Sequence, residues 1–212
     1  MNPYLRLPLR FNFDQLAAPM WGENILIDVM LKLSHRMQVI CSVMAAEMVL
    51  PIWEQQALGS PSRKPRELIG IIHRWLRGAE LPMKDIKELA RHVEAVPHSN
   101  NLTAFEGAEA EAAYAIAQAG GTEAAYAIAQ VGYIVASSRR KDVAYLVRTG
   151  IMYAVDAAGI KAVADAEASG INKYENVHLK ASQQFYQDWW NQCKPLLVAE
   201  EQRWSDWAGG VI

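Results

Sequence analysis

The sequence predicts an all-α protein, a compact bundle of about seven or eight helices with an alanine-rich second half. Three observations lead there. Apolar residues recur every three or four positions along most of the chain, the period of one helix face. Alanine, the best helix former, fills 21 of the 65 positions from 104 to 168, which favours close helix–helix approach in that half. No segment alternates apolar and polar residues with the β-branched bias of a strand. The 212 residues suit a core that folds without staples, so the span 1–212 is read as one helical domain.

The first thirteen residues carry Arg6 and Arg10 but lack the apolar segment and small-residue cleavage site of a signal peptide. N-terminal helices are expected over 23–95. Leu26, Val29, Leu33, Met37, Ile40, Met44 and Met48 mark one side of a long helix, and Pro51 predicts a kink or boundary in it. Residues 58–65 form a turn-rich loop whose last member, Pro65, suits a first helical turn. The stripe Leu68, Ile69, Ile72, Trp75 and Leu76 then ends at Gly78, a C-terminal stop. A third helix from Pro82 should bury Ile86, Leu89, Ala90 and Val93, followed by a loop over 96–102. Alanine-rich helices are expected over 103–168. Thr103 with Glu106 fits a capping box, Gly120-Gly121 should end the first of these helices, and Thr122 should cap the next. A C-terminal helix over 174–208 carries Trp189, Trp190, Trp204 and Trp207. Adjacent helical residues point about 100° apart, so Trp189 and Trp190 should not share one core. Two readings are open: one tryptophan at a helix seam and the other at an interface, or, the favoured one, a wide amphipathic helix clamped into the bundle.

The octapeptide Glu-Ala-Ala-Tyr-Ala-Ile-Ala-Gln occurs identically at 111–118 and 123–130. Solenoids need longer periods and at least three copies. A local duplication that lengthens a helical region is the simpler account.

Charge excludes several function classes. With 21 Lys plus Arg against 23 Asp plus Glu, the net charge is −2, which gives no general attraction to nucleic acid or an anionic membrane. The most apolar stretches, 37–53 and 151–168, are interrupted by polar residues, so no unbroken run approaches a membrane span. Cys41 and Cys193 are too few for a disulfide framework or a four-cysteine zinc site and read as buried, reduced thiols. A cytoplasmic protein is the expectation. The charge is nonetheless segregated. Residues 63–91 hold eight bases and four acids, 104–123 hold four acids and no base, and Arg139, Arg140 and Lys141 form a basic cluster. Aromatics do not interleave with these bases as a nucleic-acid platform requires. Solvated helix faces explain most of this pattern, and a charge-complementary protein partner explains the rest equally well, with Arg139, Arg140 and Lys141 and the acidic trio Glu106, Glu109 and Glu111 as candidate contacts.

No catalytic constellation emerges, and no metal or cofactor site is predicted. Glu88 and His92 lie four apart, yet no further ligand motif accompanies them, so a solvated helix pair is the reading. Glu47 and Glu54, seven apart, would share a helix face were it not for Pro51 between them. Two roles are open: an acid/base pair, or acceptors for Arg66 or a helix N-terminus that lock the junction to the next helix.

The stretch from 35 to 80 resembles a known family. His35-Arg36, then Ala46-Glu47-Met48-Val49-Leu50-Pro51-Ile52-Trp53-Glu54, then Pro65-Arg66-Glu67-Leu68-Ile69, then Trp75-Leu76-Arg77-Gly78 is similar to the all-helical immunity proteins of bacterial polymorphic toxin systems, the immunity protein five type. The distinctive match covers about 45 residues. The cysteine that often precedes Ala-Glu in that family is here further upstream, at Cys41. The resemblance implies a helical fold in which Glu47, Pro51, Glu54, Pro65, Arg66, Trp75 and Gly78 are fold-defining. It also implies a non-enzymatic protein that neutralises a cognate toxin by direct binding. Two alternatives stand beside it. One is a small helical enzyme or ligand-binding protein with Glu47, Glu54, Arg66 and His35 around a polar pocket. The other is a scaffold that self-associates, as a homodimer, through its alanine-rich helices and C-terminal tryptophans.

Overall fold

A computed structural model describes residues 27, 30–31, 33–56, 63–95, 108–137, 139–169 and 174–209. Among them are six helices and no strand: α1 (His35–Gln56), α2 (Lys64–Leu76), α3 (Met83–Ala95), α4 (Ala108–Ala136), α5 (Arg140–Ala168) and α6 (Tyr174–Gly209). The all-helical class is as the periodicity predicts. The helix count is lower than expected, and two long helices explain the difference.

The first of these begins later and runs further than its stripe suggests. Ser34 breaks the pattern, and its Oγ accepts the Met37 amide at 3.2 Å, an N-cap that fixes where α1 starts. Leu26 and Val29 lie outside the described residues. Of the remaining stripe, Ile40, Met44 and Met48 are only half-buried, while Val39, Cys41, Ala45, Ala46 and Val49 are fully enclosed. Pro51 neither ends the helix nor separates two elements. Glu47, Pro51 and Gln55 form the exposed strip of α1, so the carbonyl that proline leaves without an amide partner faces water. Pro195 repeats the device in α6, where it and Asn191 are exposed.

In α2 the local signals hold. Pro65 sits in the first turn, and Leu68, Ile69 and Ile72 are buried. The Gly78 amide bonds to the Trp75 carbonyl and the Ala79 amide to the Arg74 carbonyl, with Gly78 at φ +91°. That pair of bonds is a Schellman stop, which needs a residue without a Cβ penalty in the left-handed region. The third helix buries Ile86, Ala90 and Val93, with Leu89 half-buried beside them.

Helix α4 overturns the expectation of a break. It passes through Gly120-Gly121 as one 29-residue helix, and both glycines are buried. Each glycine costs about 1 kcal/mol of helix propensity. Packing outweighs that cost, because α4 touches α1, α2, α3 and α5. From Gly120 to Val135 no residue is exposed. The tightest approach is at Gly132, where a Cβ would lie 2.6 Å from the Ala90 Cβ and 3.2 Å from Leu68 Cδ1.

The remaining helices wrap this axis. α4 and α5 form an antiparallel hairpin, with Tyr126 and Tyr153 ring centroids 5.3 Å apart and Gly150 against the Gln130 side chain. α6 packs on both α5 and α1. The Trp189 Nε1 donates to the Cys41 carbonyl at 2.8 Å, and Cys193 Sγ meets Met44 Sδ at 3.6 Å. Trp189 and Trp190 are both buried, as in a wide amphipathic helix clamped into the bundle. A helix lying in the groove between two others meets protein in both directions that adjacent residues point. Trp204 and Trp207 belong to α6, but their side chains lie outside the described residues, as does the loop over 96–102.

Two segments, His35–Gln55 and Lys141–Ala168, are long and apolar enough to cross a membrane by length and composition, although 56% and 50% of them are buried inside the bundle. Neither is an unbroken apolar run, because each contains charged or polar residues. Here they are core helices.

Substituting Gly132 tests the central packing. Gly132→Val should destabilise the protein by about 1–3 kcal/mol through overpacking. Gly70→Ala on α2 should stabilise by roughly 0.5–1 kcal/mol, since an added Cβ there meets nothing within 4 Å. Urea unfolding of both variants reads the two signs.

Candidate functional site

The family-like residues lie on the antiparallel pair α1–α2. Two rungs join these helices, and their spacing is seven residues on each. Arg66 donates from Nε to Glu54 Oε1 at 2.9 Å and from Nη2 to both carboxylate oxygens at 2.7 and 2.8 Å, a forked pair. Two turns away, His73 Nε2 donates to Glu47 Oε1 at 2.7 Å. Both rungs are wet, with the Arg66 side chain 69% and that of Glu54 35% exposed. Such pairs contribute roughly 0.2–1 kcal/mol each, so they align the helices more than they hold them.

His35 serves elsewhere. Its Nε2 donates to the Ile134 carbonyl at 2.8 Å, one of the last carbonyls of α4, which lack partners within their own helix. Its ring meets Trp75 edge-on at 5.7 Å. Trp75 thus packs the end of α2 against the start of α1. The four residues of the polar-pocket reading do not surround one point, because His35 and Glu54 lie 19 residues apart on α1, about 28 Å along its axis.

The candidate partner contacts are separated too. Arg139 and Lys141 are exposed at the start of α5. Glu109 and Glu111 belong to the first turn of α4, at the other end of the hairpin, about 38 Å away. The acidic and basic groups therefore mark opposite ends and cannot form one contact point. Glu106 lies outside the described residues, as do the side chains of Arg140, Glu109 and Glu111.

Glu88 and His92 are exposed on α3. Among the described residues no three His, Cys, Asp or Glu side chains gather as a metal site requires. Cys41 and Cys193 are buried free thiols that meet across the α1–α6 seam. Their mutual hydrogen bond, then burial, push the Cys193 thiol up from its ordinary range, which suppresses the reactive thiolate.

Sequence reasoning missed a polar row inside the second half. In the hairpin, Tyr126 faces Tyr153, so the residue three before the first lies opposite the residue three after the second. That register sets Glu123 opposite Asp156. Glu123 Oε2 is buried with no hydrogen-bond partner. Burial first, and Asp156 second, raise the Glu123 carboxyl above its ordinary range. Burial likewise raises Asp156, with His178 of α6 opposing. Burial and then Glu123 lead the causes that push up the Tyr153 phenol. Nearby, the Tyr133 hydroxyl donates to Glu94 Oε2 at 2.5 Å. The signal was Glu-x-x-Tyr on one helix and Tyr-x-x-Asp on the next, legible only once they are paired head to tail.

Compared with known proteins, the chain matches no family model, no curated protein and no solved structure.

The wet Glu54–Arg66 rung is a modest alignment device, and a double-mutant cycle measures it. Glu54→Ala, Arg66→Ala and the double variant should give a coupling of about 0.5–1 kcal/mol that shrinks when the salt concentration is raised.

Proposed function

We propose that this chain is a non-enzymatic binding protein that neutralises a cognate toxin by direct contact, in the manner its resemblance to helical immunity proteins implies. The observation that carries the reading is the α1–α2 unit. The resembling stretch holds Glu47, Pro51, Glu54, Pro65, Arg66, Trp75 and Gly78. With His73 as the partner of Glu47, they form two inter-helix rungs, an exposed proline, a first-turn proline, a packing anchor and a helix stop. Each has a structural task, which suits a rigid scaffold that presents a surface.

The proposed partner is a toxin protein, bound in the cytoplasm and without a cofactor. Recognition by such a protein rests on surface complementarity and charge, and it differs between partner pairs. The exposed Arg139 and Lys141 at the turn of the α4–α5 hairpin offer positive charge on a rigid base. An acidic face on the toxin is the matching chemistry.

Affinity capture of the tagged protein from its native cells, with mass spectrometry, tests this reading. One stoichiometric partner with toxin character is expected, together with rescue of cells that co-express it. The variant Arg139→Glu with Lys141→Glu should weaken capture by tenfold or more, an effect of about 1.4 kcal/mol or greater. Arg66→Ala should leave capture unchanged. A chain that captures no protein, and rescues no toxic neighbouring gene product, contradicts the proposal.

A further inference from the structure

The polar row between α4, α5 and α6 has a composition that packing alone does not require. Two carboxylates face each other where a bundle would ordinarily place alanines, and one oxygen of Glu123 is enclosed with no hydrogen-bond partner. Helix α6 brings His178 to the same place. Gly159 of α5 is the seat for it, since a Cβ there would fall 2.6 Å from His178 Nε2 and 2.6 Å from Ser182 Oγ. Ser182, one turn further along α6, donates to the Val155 carbonyl at 3.4 Å. The glycine therefore lets an imidazole lie directly on the α5 backbone, one turn from Asp156.

We propose that Glu123, Asp156 and His178 form a proton-responsive latch that couples the seating of the C-terminal helix on the α4–α5 hairpin to pH. With both carboxylates ionised, like charges oppose each other across the hairpin. Proton uptake by the pair removes that repulsion, and the neighbouring His178 favours whatever negative charge Asp156 keeps. The other titratable groups around the row are Tyr126 on α4, Tyr153 and Tyr145 on α5, and Glu94 on α3. None of these is a cation, and among the described residues His178 is the basic group that acts on Asp156.

The direction of the effect follows from linkage. Burial raises both carboxyls in the folded protein, so the folded state binds protons more readily than the unfolded chain. The stability they contribute is fully present below the unfolded carboxylate range. It is lost as pH rises through the folded values.

Thermal unfolding of the full chain, compared with Glu123→Gln/Asp156→Asn from about pH 4.5 to pH 8, tests the latch. The variant should melt about 2–4 °C higher than the parent at pH 8, and the difference should close as pH falls. A variant that melts lower at pH 8, or a difference that does not change with pH, overturns the proposal. Carboxyl-carbon NMR titration of the unsubstituted protein gives a reading that does not depend on the variant folding. Both carboxyls should titrate above the ordinary carboxylate range, and Asp156 should move higher still in His178→Ala. Ordinary titration of both groups, or an Asp156 indifferent to His178, overturns it equally.

Discussion

The structure depends on one constraint: α4 is enclosed from Gly120 to Val135, so its surface must be small wherever another helix crosses it. Alanine and glycine meet that requirement. At Gly132 even one added carbon would collide with Ala90 of α3. The close approach brings α1, α2, α3 and α5 onto a common axis, and buried side chains from all six helices then form one cluster. Alanine richness in the second half is therefore a consequence of packing geometry as much as of helix propensity. The exact repeat extends this thin, helix-favouring surface by twelve residues, about 18 Å.

Local signals were legible because they act through the nearest few residues. Pro65 pre-sets a first turn, and Gly78 accepts a left-handed stop, whatever surrounds them. The errors came where distant contacts decided the outcome. Gly120-Gly121 reads as a helix end, yet burial on all sides holds the helix together through it. Pro51 reads as a boundary, but its position on the exposed strip lets water satisfy the freed carbonyl. In each case a local preference is outweighed by burial or solvation that only the assembled fold provides. The rungs from Glu54 and Glu47 were half visible. Arg66 was a named partner for these acids, whereas His73 was not, because α1 and α2 must be paired antiparallel before it comes into reach.

Two clusters of polar groups show different physics. On the α1–α2 face they are wet, paired and of small energetic weight. In the α4–α5–α6 seam they are partly buried and of like charge, where the same charges weigh more because water screens them less. The sulfur-lined contact of α6 with α1, through Cys41, Cys193 and Met44, adds apolar packing on the other side of that helix.

Amide hydrogen exchange across residues 118–126 tests the enclosed axis most directly. One continuous helix predicts slow exchange at Thr122, Glu123, Ala124 and Ala125, at rates like those near Ile128. A break at Gly120-Gly121, with Thr122 as a new cap, would leave the first amides of a second helix without carbonyl partners. Rapid exchange at 123–125 beside slow exchange at 128–131 would contradict the account.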